Sequence, residues 1–545
     1  MKRKLKTIAI IFLLSIGSIS FVDNYFEISK NIDIFTSLYK ELNLFYVDDT
    51  EPGELMKEGI DAMLKSLDPY TTYIPESEIE DFRFMTTGQY GGIGAIITKR
   101  KDFVFISEPY EGYPAQKAGL MAGDKIVEIN GKSAKNKTTE EISKILKGQP
   151  NTSVTLLIER LNLEEPFKVT FDREKVTLKS VPFSEFVSED IGYVKLRSFT
   201  KGCAKEIKKA IKDLESRGNL NGLILDLRNN PGGLLNESID IVNLFVNQGE
   251  EIVSTKGKIK SWQKSYTASN TPLNINIPLV VLINSASASA SEIVSGAIQD
   301  LDRGVVIGQR SFGKGLVQQT RKLSYNTQLK LTVAKYYIPS GRCIQAVDYS
   351  NRNDDGSVGK TPDSLRAIFN TRNGREVYDG GGIYPDIITE KKSISNIVLS
   401  LFKERLFFDY ATDFQFKNDR ISSDYIMSDA QYEDFVDYIS DKEYSYETKT
   451  EEILVKLKEK AIDERYFNVL KEEYEALELE FKSNKKDDLF TNKDEIMEAL
   501  SSEIVSRYYF QKGRIKNSLY YDIELKEAIS ILHDEDRYNQ VLGYN

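Results

Sequence analysis

Five consecutive apolar residues, Leu279–Ile283, stand between Pro278 and Asn284. They give way to helically spaced apolar positions at Ala290, Ile293, Val294, Ala297, Ile298 and Leu301. A β-branched run of that length suits a strand buried on both faces, and the later spacing suits one face of a helix. The two patterns meet in a Ser/Ala stretch, so Ser289 falls at a strand-to-helix turn, where unpaired helix amides collect. A serine there is well placed as a nucleophile. Ser289-Ala-Ser-Glu292 also reads as a capping box, with Ser289 satisfying first-turn amides and Glu292 reaching back.

A second stretch bears on that choice. After the apolar run Val305–Ile307 comes Ser311-Phe-Gly-Lys-Gly-Leu-Val-Gln318. A lysine between two glycines can sit on closely approaching backbone, and Phe312, Leu316 and Val317 would disfavour its charge. Composition removes the usual competitors. The chain has one histidine, His533, far along in the C-terminal region, so a Ser-His-Asp triad would depend on that residue alone. His-based zinc chemistry and Cys-rich metal sites are equally poorly supplied, since there are only two cysteines, Cys203 and Cys343. For acyl-transfer chemistry a lysine base is the economical candidate.

Ser289-Ala-Ser-Glu-Ile, Gln299-Asp300, Gly313-Lys314-Gly315 and Gln318 together resemble the signature of the carboxy-terminal processing peptidases, or tail-specific proteases. The Ser-to-Lys interval of 25 residues and the Lys-to-Gln interval of 4 match that pattern. With the motifs below, the resemblance covers roughly residues 30–390. It implies a crotonase/ClpP-like α/β protease core with an inserted PDZ domain.

From the N-terminus, Lys2, Arg3, Lys4 and Lys6 precede an uncharged stretch from Thr7 to Val22, with small residues at Ser18 and Ser20. This is a secretory signal pattern, short for a spanning helix, with an uncleaved anchor as the alternative. It predicts export to the periplasm or cell envelope, with anchoring to the inner membrane left open. Two cysteines in 62.0 kDa make a disulfide framework untenable. Residues 23–87 carry helical spacing (Ile34, Leu38, Leu42, Phe45; Leu55, Ile60, Met63, Leu64, Leu67), followed within the region by the turn Asp68-Pro-Tyr-Thr. Packing is the role expected of them.

Residues 88–172 read as a mixed unit. Gly91-Gly-Ile-Gly94 precedes a strand at Ala95–Ile97, Ala118–Gly131 is turn, strand and turn, Thr138–Leu146 is a short amphipathic helix, and Ser153–Glu159 is a strand. This resembles a PDZ domain of the bacterial arrangement. In the peptide-binding loop Gly91–Gly94, successive amides of Gly92, Ile93 and Gly94 can cradle a terminal carboxylate, while the neighbouring strand edge accepts an extended chain.

Residues 173–390 alternate strands and helices: Gly192–Phe199, Ala204–Arg217, then a buried strand at Gly222–Leu227. The alternation predicts a largely parallel sheet. The strand runs into Asp226-Leu-Arg-Asn-Asn-Pro-Gly-Gly233, a turn that can expose the amides an oxyanion hole requires. The resemblance implies Gly232 or Gly233, with Ala290, as its donors. The polar tract 348–374 reads as a surface loop.

Residues 391–545 contain no proline and carry 23 basic and 34 acidic residues. Their net −11 leaves the first 390 residues at +1, so the acidic balance of the chain is local. Runs such as Glu451–Lys460 and Lys471–Phe481, with Tyr466, Phe467 and Tyr474 as an aromatic stripe, predict an all-helical C-terminal domain. Either an adaptor surface or a solvated structural face suits it, the latter better. No basic patch with interleaved aromatics points to nucleic acid.

The reading is an exported serine endopeptidase with a Ser289–Lys314 dyad, Gln318 orienting the lysine, a PDZ domain holding substrate C-termini, and no metal or cofactor. Asp300 matches an acid that relatives carry near the site, in a supporting role. An inactive PDZ scaffold or chaperone, and a crotonase-like acyl-transfer enzyme, stay open as alternatives.

Overall fold

Alternating apolar residues between 95 and 171 fold into an antiparallel sheet, as their period of two requires. The computed structural model describes residues 25–349, 358–442, 444, 446 and 448–544, excluding the side chains of 482–486; the predicted signal segment lies outside the described residues. Helix α1 (Ile79–Thr87) ends at Gly88 and leads into β1 (Gln89–Gly92). Strands β2 (Ala95–Arg100), β3 (Phe103–Pro109) and β4 (Lys125–Ile129) follow. Helix α2 (Thr139–Leu146) is capped by Thr138, with Glu141 returning to the cap amide. Strands β5 (Ser153–Glu159), β6 (Phe167–Asp172) and β7 (Glu174–Thr177) complete the unit. The sheet order is β2-β3-β4-β5-β6, so β2 is an edge strand, and β1 pairs with β7. Ile106, Ile126, Leu156 and Ile158 point inward onto Ile142 and Leu146 of α2.

The core sheet comes next. Strand β8 (Phe183–Phe186) pairs antiparallel with β9 (Ile191–Lys195). Helix α3 (Cys203–Arg217), β10 (Gly222–Asp226), helix α4 (Leu235–Val242), β11 (Leu279–Ile283), helix α5 (Ala290–Asp300), β12 (Val305–Gly308) and β13 (Ile387–Ile388) follow in chain order. From β9 to β13 every neighbour is parallel. Strand β9 stops at Lys195, short of the predicted Phe199, because Phe199 leaves the sheet to bridge Gly233.

The strand residues divide between the two faces with period two. Leu223, Leu225, Leu279, Val281, Ile283 and Val306 belong to one hydrophobic cluster with α3, α4 and α5. Ile224, Val280, Leu282, Val305 and Ile307 belong to another. That second face is covered by the end of the chain.

The C-terminal region is helical throughout: α6 (Asn396–Lys403), α7 (Leu406–Lys417), α8 (Asp429–Ile439), α9 (Lys449–Asp463), α10 (Phe467–Thr491), α11 (Lys493–Tyr520), α12 (Ile523–His533) and α13 (Glu535–Val541). Helices α6 to α8 and α11 share a core of their own. Leu525, Ala528 and Ile531 of α12, with Tyr538 and Leu542, pack against the open face of the sheet instead. The Tyr538 hydroxyl is bonded to the backbone of Leu279. The expected solvated face describes α9 and α10, where Ile453, Leu457, Val469 and Leu479 are exposed. It does not describe α12 and α13. A parallel sheet is stable only with both faces covered, and these helices supply the second cover.

Two compact units are distinguished: residues up to Ile74 with Thr320–Thr332, and Pro75–Gln319 with Val333 onward. All the elements labelled above belong to the second. In the first, residues 25–45 are helical, yet Ile34, Leu38, Leu42 and Phe45 are exposed rather than packed. There Asp68 is buried and accepts hydrogen bonds from Tyr70 and Thr71, fixing the predicted turn. In the polar tract 348–374, of which 350–357 lie outside the described residues, Ile368–Asn370 forms a small hairpin with Glu376–Tyr378. No helix among the described residues is long and apolar enough to cross a membrane.

Candidate active site

Strands β10, β11 and β12 are adjacent and parallel, so the loops at their carboxyl ends are delivered side by side. These loops contain Gly232 and Gly233, Ser289, and Lys314. The carboxyl ends of such strands are where open α/β sheets place ligands.

Ser289 has φ 57° and ψ −113°, a backbone conformation that a non-glycine residue holds only when its surroundings over-determine it. Its N–H donates to Glu292 Oε2 at 2.7 Å. Its carbonyl accepts from the amides of Glu292 (2.8 Å) and Ile293 (3.0 Å). The Tyr336 hydroxyl also reaches this carbonyl, at 3.1 Å. The side chain is partly buried at the start of α5.

Glu292 does more than return to the cap. It is fully buried, and Oε1 accepts from Ser311 Oγ (2.6 Å) and Gly313 N–H (2.7 Å) while Oε2 also accepts from Lys314 N–H (2.9 Å). One carboxylate thus fastens the nucleophile turn to the lysine turn. Burial pushes the Glu292 carboxyl up, and the donors from Ser311, Lys314, Gly313 and Ser289 pull it back. Tyr336 makes a parallel tie, its hydroxyl lying 2.5 Å from the Lys314 carbonyl as well.

Glu292→Gln replaces an acceptor oxygen by an amide donor facing N–H and O–H donors. Each buried group left unmatched costs about 1–3 kcal/mol. The variant is expected to lose several kcal/mol in denaturant melts and most of its cleavage rate, while Glu292→Asp, which keeps the charge, recovers part of both. Wild-type stability in Glu292→Gln would show that the carboxylate is not what joins the two turns.

The flanking glycines of Lys314 permit close approach, as expected. A Cβ on Gly313 would stand 2.4 Å from Ala346 Cβ, and one on Gly315 would stand 2.8 Å from Gln345 N. Lys314 is partly buried and Leu316 is buried, but Phe312 is 52% exposed and contributes less apolar cover than its sequence position suggests. Gln318 is partly buried on the following strand, and its Nε2 donates to the Leu316 carbonyl at 3.3 Å.

The glycine turn packs directly on the serine turn. A Cβ on Gly232 would lie 2.6 Å from Ala288 O and 2.9 Å from Ala290 N. The loops are laced by Ser291 Oγ and Ala288 N–H, both donating to Asn230 O, and by Ser287 Oγ donating to Leu227 O. Gly232 N–H is engaged by Asn230 Oδ1 at 2.9 Å, which removes it as an oxyanion donor. The bridge to Phe199 uses Gly232 O and Leu234 N–H and leaves Gly233 N–H out. Ala290 is the first residue of α5, where an amide has no acceptor within its helix.

Asp300, the expected support, lies elsewhere, and so does His533, the histidine a triad would need. Asp300 ends α5, eleven residues past Ser289 and so about 16 Å along the helix. It pairs with buried Arg342 at 2.7 Å and accepts from Ser340 N–H, so its support goes to the 338–342 turn rather than to Ser289. His533 bonds to Asp190 at 3.1 Å, next to the amino end of β9, whereas Ser289 follows the carboxyl end of β11. That position excludes a triad through His533.

In the PDZ-like unit, β1 carries Gly91 and Gly92, Ile93 is buried, and Gly94 (φ 73°) precedes edge strand β2. A cavity of about 140 Å³ opens between β2 and α2, lined by Phe84, Tyr90, Ile93, Ala95, Ile97 and Leu146 among others. Burial pushes the Tyr90 phenol up, neighbouring Tyr110 and Tyr113 add to this, and the Gly94 amide pulls it back. Among the described residues no group of His, Cys, Asp and Glu is arranged to hold a metal ion.

The joining roles of Glu292 and Tyr336 are not written in their local sequence. The Ser-x-x-Glu spacing was visible as a cap, but nothing in the strand sequence around Tyr336 distinguished its hydroxyl.

Three family models match this chain: peptidase family S41 over residues 190–351, a PDZ domain over 105–160, and "Probable PDZ-protease, C-terminal helical domain" over 397–532. A carboxy-terminal-processing protease of Bartonella bacilliformis is 38% identical over 58% of this chain and 73% of its own. A "Probable CtpA-like serine protease" of Staphylococcus aureus (strain COL) is 34% identical over 71% of this chain and 76% of its own. Among solved structures, a photosystem II D1 C-terminal processing protease aligns with 65% of this chain and 92% of its own at 26% identity and a TM-score of 0.35. With these three models matched and relatives of 38% and 34% identity covered over most of their length, the chain belongs to the carboxy-terminal processing serine protease family.

Proposed function

We propose that this protein is an exported endopeptidase that takes hold of substrates by a free C-terminus and cleaves them with a Ser289–Lys314 dyad. The observation that carries this reading is the joining of a strained Ser289 turn and the Gly-Lys-Gly turn on one buried carboxylate, beside the Gly233 and Ala290 amides. Ser289 Oγ attacks the scissile carbonyl, and the neutral Lys314 amine takes its proton. The Gly233 and Ala290 N–H groups stabilise the oxyanion that forms, a contribution of about 3–4 kcal/mol per donor in related sites. Lys314 then gives the proton to the leaving amine, and the same amine activates water for deacylation. Gln318 orients the lysine.

The PDZ domain supplies selection. The amides at Gly91–Gly94 hold the substrate carboxylate, the edge of β2 pairs with the extended tail, and the cavity beside α2 takes an apolar last side chain. The basic-then-apolar N-terminus supports export to the periplasm or cell envelope. We place the working divisions at 1–22, 23–87, 88–172, 173–390 and 391–545.

The direct test compares an unstructured peptide bearing an apolar free C-terminus with its amidated twin. Cleavage of the first with much higher kcat/KM than the second is expected. No cleavage of either, with capture of the first intact, would favour a PDZ scaffold.

A second measurement separates capture from chemistry. In Gly92→Ala the new Cβ meets the ring of Tyr90, the far end of a flexible side chain, at 2.7 Å. KM for the peptide is expected to rise at least about fivefold as the displaced ring disturbs the carboxylate loop, whose Gly94 amide its hydroxyl already meets, with turnover of a small activated ester unchanged within about twofold. Equal losses on both substrates would mean that the loop serves the active site or the fold.

A further inference from the structure

Arg228 lies in the loop after β10, five residues before Gly233, and its guanidinium is almost wholly buried. An arginine has five N–H donors. Here Nε and one Nη2 hydrogen go to Asp226, at 3.0 and 2.8 Å. Two more bonds go to Asp522, at 2.9 and 2.5 Å, and the fifth goes to Glu524 at 3.3 Å. Every donor is used, and three of the five bonds end on the C-terminal region.

The core alone does not balance this cluster. Asp226, fully buried at the end of β10, already accepts from Lys195 Nζ, the Tyr193 hydroxyl and the Arg228 amide. Burial opposes its charge, but Arg228 and Lys195 outweigh that and hold the carboxyl well below the usual range. One carboxylate thus faces two cations, and the counter-charge arrives from the C-terminal region with Asp522 at 2.5 Å and, more distantly, Glu524 at 3.3 Å. That residue is itself fixed as the N-cap of α12, accepting the Leu525 amide at 2.9 Å, and α12 is anchored on the core sheet.

From Arg228 the loop runs through Asn229, whose amide donates to Asn284 Oδ1, to Asn230 and then to Gly233. We infer that Asp522 is a positioning residue for peptide-bond cleavage: from the C-terminal helical region it clamps Arg228 and so fixes the turn that aims the Gly233 amide at the substrate oxyanion. The inference rests on the proposed oxyanion role of Gly233 and makes α12 part of the active-site framework.

Asp522→Asn separates the clamp from the cap, since asparagine caps helices as well as aspartate does. Cleavage of the free-C-terminus peptide by the full chain, measured well below the variant's melting temperature, is expected to fall about tenfold or more in kcat with KM within about twofold, while loss of the buried counter-charge lowers the melting temperature. Asp522→Glu, which keeps the charge, should recover part of the rate. In an Arg228→Lys background, where the bidentate clamp is already lost, Asp522→Asn should change kcat by less than about twofold. Wild-type kcat in Asp522→Asn, a loss confined to KM, or multiplicative effects of the two substitutions would overturn the inference. Because Asp522→Asn melts early, kcat is read per folded molecule, and a wild-type value there assigns the ion pair to stability alone and overturns the inference. Ser289→Ala run beside these variants keeps the outcomes apart: if it still cleaves, the Ser289 reading fails rather than the clamp.

Discussion

Ser289→Ala is expected to lower kcat/KM for peptide cleavage by about 10⁴-fold or more, because removing the nucleophile of a serine peptidase leaves only the residual catalysis of binding and oxyanion stabilisation. The fold should persist. The ties that hold the turn run through the backbone of Ser289 to Glu292, Ile293 and Tyr336, and an alanine keeps all of them. Two neighbours provide the control. Ser287 and Ser291 are buried and spend their hydroxyls on Leu227 O and Asn230 O, so their alanine variants each lose a hydrogen bond worth about 1 kcal/mol and retain substantial cleavage. Peptide turnover measured with thermal melts decides the matter. Near-normal turnover in Ser289→Ala would end the dyad assignment, whatever the other two serines do.

Lys314→Arg is expected to be inactive, with a loss of at least about 10³-fold, although it conserves charge and hydrogen-bonding capacity. A guanidinium stays protonated across the whole working range and cannot accept the serine proton. An ordinary lysine is itself only about one part in a thousand neutral near pH 7.4, so the wild-type rate should climb as pH rises and the amine deprotonates. The Lys314 amide is bonded to Glu292 and its carbonyl to Tyr336, so the backbone at this position stays in place when the side chain changes. Loss of activity in a variant that melts like wild type therefore reads on the base. A pH–rate profile of wild type beside Lys314→Arg and Lys314→Ala makes the comparison. Cleavage by the arginine variant, or a wild-type rate that falls as pH rises through neutrality, would contradict a lysine base.

The Asp522 clamp gives the C-terminal helices a mechanical reason to accompany the protease core. They complete the second layer of the parallel sheet and also fill the charge deficit behind the glycine turn. Removing them should therefore affect chemistry as well as stability, unlike removal of an independent domain.

Local sequence determined much of this protein. The run at 279–283 became β11 and the spacing from 290 became α5, because a two-sided buried strand and a one-sided helix each write their period into the residues that must be apolar. The short helix from Thr138 to Leu146, the Asp68 turn and the glycines at 313 and 315 were legible for the same reason: their geometry is settled within a few residues. Tertiary structure decided the rest. No local pattern states that β10, β11 and β12 are neighbours, yet that adjacency alone brings residues 233, 289 and 314 together. Glu292 is a helix cap by sequence and a four-donor junction only once the lysine loop lies across it. Gly232 and Gly233 are equivalent as a motif until Asn230 engages one of their amides. The last helices resemble other amphipathic helices in composition, and only the uncovered sheet face 250 residues earlier explains what their apolar stripe is for. Each of these is a contact between distant segments, where the energy depends on the partner and a residue's own neighbours in sequence do not identify it.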